Sequence, residues 1–178
     1  MHLLAISGSL RAGSSNTVLL RAAAQLAPKG VEITLYDGLG DLPHFNPDLD
    51  AEGEAGPEAV EDFRARLREA DGVLISSPEY AHGVPSVLKN ALDWVVGSGE
   101  FVGKPVALLN ARPNSTFAQA SLTETLTVMM AVLVAEASAT IPLPGNTVDE
   151  AAIVADSKLS DPLRAALTAF ARAVAAHP

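Results

Sequence analysis

At 178 residues the chain has room for one domain and would cramp two. Apolar residues make up 48% of it but aromatics only 4%, so Leu, Val, Ile and Ala must build the core. A formal net charge of -9 argues against nucleic acid or an anionic membrane surface as partner, and the lack of cysteine excludes disulfides, thiolate metal sites and thiol redox chemistry.

The chain opens on Met1-His2-Leu3-Leu4-Ala5-Ile6, with no basic segment ahead and too short an apolar run for a signal peptide. The expectation is a soluble, cytoplasmic protein. Leu3 to Ile6 reads as a buried strand ending at Gly8. Val18, Leu19, Ala22, Ala23 and Leu26 then fall on one helical face, and Val31, Ile33 and Leu35 alternate with polar residues as in a half-buried strand. Residues 37–56 form a long acidic excursion rich in Gly and Pro. A helix over about 57–70 leads to a second continuous strand, Gly72 to Ser76. Val84, Val87, Leu88, Ala91, Leu92 and Val95 make an apolar helical stripe, with Pro85 suited to its first turn. Val106 to Leu109 is a third buried run. Leu122, Leu126, Met129, Met130 and Leu133 repeat at helical spacing, with the Met pair read as core or interface. A weak strand over 134–138 carries Glu136, and Leu163, Leu167, Phe170 and Val174 mark a last helix.

Strand and helix alternate five times, which predicts parallel strands covered by helices on both faces. The runs at Leu3, Val73 and Val106 are apolar throughout, as central strands must be; those at Val31 and Val134 carry polar residues, as edges do. The expected fold is therefore α/β: a flavodoxin-like three-layer sandwich whose five-stranded parallel sheet runs in the order 2-1-3-4-5. Residues 1–178 are read as a single domain, without repeats or linkers.

In such a sheet, ligands bind beyond the carboxyl ends of the strands where the strand order reverses, here between the first and third. After the first comes Gly8-Ser9-Leu10-Arg11-Ala12-Gly13-Ser14-Ser15-Asn16 and then a helix. Glycines allow close approach, hydroxyls and amides donate hydrogen bonds, and the helix start and Arg11 supply positive charge. This is an anion cradle, most simply for a phosphate; the plainer reading is a Ser/Asn-rich loop that caps a helix. It is neither of two familiar phosphate loops. Ser14 stands where a P-loop requires Lys, and Leu10 where a dinucleotide fingerprint requires Gly. After the third strand comes Ser76-Ser77-Pro78-Glu79-Tyr80-Ala81-His82-Gly83-Val84-Pro85, a shaped turn able to offer main-chain groups to a planar heterocycle, or else an ordinary connection.

Gly8-Ser9-x-Arg11-x-x-Ser14-x-Asn16, together with Pro78-Glu79-Tyr80 and Pro85-x-x-Leu88-Lys89-Asn90-Ala91-Leu92-Asp93-Trp94, resembles the NADPH-dependent FMN reductase family, which includes quinone, chromate and azo-dye reductases. Asp41-Leu42-Pro43-His44-Phe45-Asn46-Pro47-Asp48 resembles its connecting loop, and the likeness runs to about Leu109. The resemblance implies that Ser9, Arg11, Ser14, Ser15 and Asn16 hold the FMN phosphate. It implies that Pro78, Glu79, Tyr80 and Ala81 line the isoalloxazine, largely through the main chain, with His82 at the ring or its entrance. Members commonly have Asn where Ala81 stands and Ser where Gly83 stands. They often have a Gly-rich turn where this chain has Asn110 to Thr116, in which Arg112 is placed to attract an NADPH phosphate or a negative acceptor.

The function so implied is passage of electrons from NADPH or NADH through FMN to a quinone, azo compound, free flavin or similar small-molecule acceptor, with ping-pong kinetics. The cofactors carry the chemistry, so no protein acid–base pair, nucleophile or metal is expected. The four histidines show no metal-ligand spacing. Lys89 and Asp93, four apart, read as a surface ion pair or a subunit contact, since the family implies a homodimer or homotetramer. A flavodoxin-type electron carrier and a flavin-free binding domain are the alternatives.

Overall fold

The computed structural model describes residues 1–51, 55–144 and 148–177. In chain order its elements are β1 (His2–Ser7), α1 (Ser15–Gln25), β2 (Glu32–Tyr36), α2 (Glu58–Glu69), β3 (Gly72–Ser76), α3 (Ser86–Asp93), β4 (Pro105–Asn110), α4 (Thr116–Val128), β5 (Val132–Leu133), β6 (Ala139–Thr140), α5 (Glu150–Ala155) and α6 (Ser157–Ala175). All strand pairs are parallel, and the sheet order is β2-β1-β3-β4-β5 with β6 also on β4. The flavodoxin-like order expected from burial alone is the one observed.

The continuous apolar runs are explained by what lies on each side of them. Along β1, Leu3 and Ala5 pack into a core shared with α1 and α6, whereas Leu4 and Ile6 pack into a second core shared with α2 and α3. Leu74, Ala107 and Leu109 join the first core; Val73, Ile75, Val106 and Leu108 join the second. A strand buried on both faces has no polar side to show. The few aromatics are concentrated here: Trp94, Phe63, Phe101 and Phe170 are fully buried.

Three expectations need correction. The fifth strand does not run through 134–138. It is split into β5 and β6 around a 3-10 turn, Ala135–Ala137, which holds the exposed Glu136. The Ser138 hydroxyl explains the break, because it accepts from the Leu108 N–H (3.1 Å) and donates to the Val134 carbonyl (3.1 Å), taking a place that a ladder bond would fill. Secondly, α4 ends at Val128. Met130 turns out of it at φ 60°, and Leu133 lies in β5, so the helical spacing from Leu122 carried too far. Thirdly, the last helix begins at Ser157 and runs through Pro162, and α5 precedes it unforeseen. Among the described residues no helix is long and apolar enough to cross a membrane.

Candidate functional site

The sheet order reverses between β1 and β3, and the loops leaving these two strands are joined at their roots. The Gly8 N–H donates to the Ser76 carbonyl at 2.9 Å, carrying the β1–β3 pairing one residue past β1. Ser76, fully buried, donates through Oγ to Asn16 Oδ1 at 2.9 Å, and Ser7 and Thr17 share a hydroxyl contact of 2.8 Å. The start of α1 is thus held on the strand ends by side chains, while its N-cap residue, Ser14, makes no side-chain capping bond. The capping explanation for this Ser/Asn-rich loop is not the one adopted here.

A cavity of about 160 Å³ opens over this frame, lined by Ser9, Arg11, Ser14, Ser15 and Asn16 on one side and by Pro78, Tyr80 and Arg112 on the other. It brings together residues from the loops after β1, β3 and β4. Arg11 is exposed and its guanidinium has no ion-pair partner among the described residues. Arg112 lies against the Leu143 carbonyl at 3.4 Å. Two guanidinium groups and several hydroxyls around one small cavity, at a helix start, suit an anion. In a chain of net charge -9 this is a local positive field inside a negative shell.

Glu79, Ala81 and His82 do not line that cavity. The Glu79 carboxylate accepts from the Ala118 N–H at 2.9 Å, so it caps α4 from a distant loop, where its charge also suits the helix start. The His82 ring stacks on Phe117 of α4, with centroids 4.2 Å apart and planes 14° from parallel. Tyr80 and Gly83 exchange two main-chain hydrogen bonds, of 3.1 and 3.0 Å, around Ala81 (φ 49°) and His82 (φ 59°). Two consecutive left-handed residues closed by such a pair make the tight turn that favours Asn or Gly, and neither stands there. Left-handed backbone at a non-glycine residue costs roughly 1–2 kcal/mol. Ala81→Asn is therefore expected to stabilise the fold by about 0.5–1 kcal/mol, the local gain of a residue that tolerates this conformation. Urea unfolding checks it, and an unchanged or lower midpoint would show that the turn is not strained.

Sequence reasoning missed Asn90 as a builder of the site's surroundings. Its carboxamide donates to the Pro43 carbonyl (2.9 Å) and accepts from the Phe45 N–H (2.8 Å), while Trp94 Nε1 donates to the same carbonyl (2.8 Å). Asn90 and Trp94 are four apart on one turn of α3 and its end, so together they pin the loop after β2. That spacing was visible; its partner was not. Arg64 works similarly from α2, holding Asp50 (2.7 Å), Glu61 (3.0 Å) and the Trp94 carbonyl (2.6 Å). Burial opposes its charge, but the two carboxylates outweigh that and hold its pKa above the usual value. Lys89 and Asp93 do form the ion pair foreseen for them.

Residues 1–143 match the family described as NADPH-dependent FMN reductase. Over 131 residues the chain is 44% identical to an NAD(P)H-dependent FMN reductase of Pseudomonas aeruginosa, a match covering 71% of this chain and 69% of that protein. It is 36% identical over 110 residues to a quinone reductase of Escherichia coli K12, covering 61% of this chain and 58% of the relative. Among solved structures it is similar to the flavoenzyme NAD(P)H:(acceptor) oxidoreductase FerB of Paracoccus denitrificans, at TM-score 0.86 and 31% identity over 99% of this chain and 98% of that one.

Proposed function

The chain belongs to the NADPH-dependent FMN reductase family, and we propose that it uses the loops after β1, β3 and β4 to hold FMN while electrons pass from NAD(P)H to a small-molecule acceptor. Membership makes it an oxidoreductase with FMN as cofactor and NAD(P)H as electron source. The acceptor class we propose is a quinone, azo compound, free flavin or similar, reached by ping-pong kinetics. The observation that carries this reading is the 160 Å³ cavity, which gathers Ser9, Arg11, Ser14, Ser15 and Asn16 with Pro78 and Tyr80.

The residues present fit the group. A drug-sized ligand fills roughly 300–1,000 Å³, so this cavity takes the phosphate end of FMN and leaves the planar head at the open mouth beside Tyr80. Arg11 and the hydroxyls of Ser9, Ser14 and Ser15 would hold the phosphate. Asn16, whose Oδ1 accepts from Ser76, fixes the helix start from which they act. The main chain of Pro78 to Ala81 would line the head, and His82, stacked on Phe117, would border its entrance. When bound, FMN supplies the acceptance of hydride and its onward delivery. The chain's own part is to bind, orient and shield, which needs no acid–base pair. The exposed Tyr80 ring, 58% accessible, leaves an open face for two reactants to visit in turn. We further propose that the chain acts as one domain, in the cytoplasm, as a homodimer or homotetramer.

Purified protein is expected to be yellow, to release FMN on denaturation, to bleach when NADPH is added without oxygen, and to recover colour when a quinone follows. Protein that takes up no flavin would overturn the reading. Protein that takes up FMN but is not bleached by either nicotinamide would be an electron carrier.

A further inference from the structure

One side of the phosphate cavity is assembled from two separate segments. Pro78 and Tyr80 come from the loop after β3, and Arg112 comes from the loop after β4. Side chains that touch neither the cavity nor each other join these segments. Arg112 is tied to the start of α4, since its carbonyl accepts from the Ser115 N–H at 3.2 Å. Glu79, between Pro78 and Tyr80 in the chain, reaches that same helix start and accepts from the Ala118 N–H at 2.9 Å.

Helix α4 needs such a partner. Its N-cap residue, Ser115, makes no side-chain capping bond, and its first turn carries no acidic residue. The opening N–H groups of a helix have no partner within it, and a negative charge beside them is favoured. Glu79 therefore makes a charge-assisted bond to an otherwise orphaned donor, among the stronger contacts available to a loop. A second anchor lies one residue earlier on α4, where Phe117 stacks on His82 with centroids 4.2 Å apart. Between the two anchors, Tyr80 and Gly83 exchange main-chain bonds of 3.1 and 3.0 Å, which make the turn one stiff piece. Tyr80 is thus fixed from both sides although its own ring is exposed.

We propose that Glu79, supported by His82, is a positioning residue for the flavin: anchored on α4, it sets where Tyr80 stands relative to Arg112. The proposal rests on the FMN reductase reading and gives the Glu79 side chain a part separate from any contact with the cofactor. A loop that is loose in the empty protein must be ordered when the ligand arrives, which weakens binding. A loop already held avoids that cost.

The test is a fluorescence titration of flavin-free protein with FMN and with riboflavin. Glu79→Ala should weaken both flavins by a similar factor, about tenfold, the scale of one charge-assisted bond. The visible spectrum of bound FMN should shift toward that of the free cofactor, as its ring is held less firmly. Glu79→Gln keeps an oxygen for the Ala118 N–H and should recover most of the affinity and the spectrum. Phe117→Ala removes an exposed ring, spares the core and should weaken both flavins about threefold. A merely structural cap would lower the melting temperature of Glu79→Ala and leave flavin affinity and spectrum as in the wild type; that result overturns the proposal. A loss for FMN without one for riboflavin also overturns it, because the effect would then fall on the phosphate. Where Glu79→Ala yields no folded protein, unchanged flavin affinity in Phe117→Ala decides against the proposal. Each of these results leaves the wider reading standing, which falls only if the wild-type chain takes up neither flavin.

Discussion

Arg11→Ala is expected to weaken FMN binding by about 1–3 kcal/mol, roughly ten- to hundredfold, without lowering the melting temperature. The guanidinium has no ion-pair partner among the described residues, so its removal leaves no buried charge behind. It lies close over the loop, with Nη2 3.7 Å from where a β-carbon on Gly13 would stand. A chain of net charge -9 repels an anion everywhere except at such local sites, which makes each cation there count. Fluorescence titration of flavin-free protein measures the loss. Riboflavin, which lacks the phosphate, provides the control. Its affinity should be unchanged by the substitution, and an equal loss for both flavins would place the phosphate elsewhere. Arg11→Lys should recover part of the affinity, since it keeps the charge and loses the fork.

Gly8→Ala is expected to destabilise the fold by about 1–3 kcal/mol, as overpacking does, and Gly8→Val by more. A β-carbon at Gly8 would lie 2.6 Å from Ser77 Oγ, 3.0 Å from Ser77 Cβ and 3.1 Å from a Leu88 methyl. The closest obstacle is a hydroxyl that already donates to the Pro78 carbonyl at 3.0 Å, so moving it also disturbs the turn that borders the site. For a chain of this length each kcal/mol is worth about 2–4 °C in melting temperature. Ser77→Ala in the Gly8→Ala background should restore part of the loss, because it removes the nearest atom. A Gly8→Ala protein as stable as the wild type would mean that the two loops are not in contact as described.

The central strands could be read from the chain because burial on both faces leaves one pattern, unbroken apolar runs at Leu3, Val73 and Val106. The fifth could not. Its break depends on Ser138 reaching the Leu108 N–H, a contact between segments that no local spacing announces. Helix α4 was overextended because Met129, Met130 and Leu133 are apolar for different reasons. One ends the helix, one is exposed in a left-handed turn, and one lies in a strand. At the site, the phosphate loop was legible because Gly, Ser, Arg and Asn each have a local chemical reason to be there. The Glu79–Ala118 bond and the His82–Phe117 stack were not, since both join a loop to a helix far along the chain. Ala81 stands out in the chain because the resembling family commonly has Asn there. Its backbone angle gives that position a second meaning, a demand for left-handed geometry.

The divided fifth strand also governs how copies of the molecule can meet. A rim strand with an uninterrupted row of amides and carbonyls invites a neighbour to add another strand and so templates aggregation. Here that rim offers two residues, a turn, and two residues more, too little for a visiting chain to zip along. The opposite rim, β2, is only five residues long and carries Glu32, a charge that discourages the same docking. With both flanks of the sheet blunted in this way, the helical layers are the surfaces left for a second copy to meet.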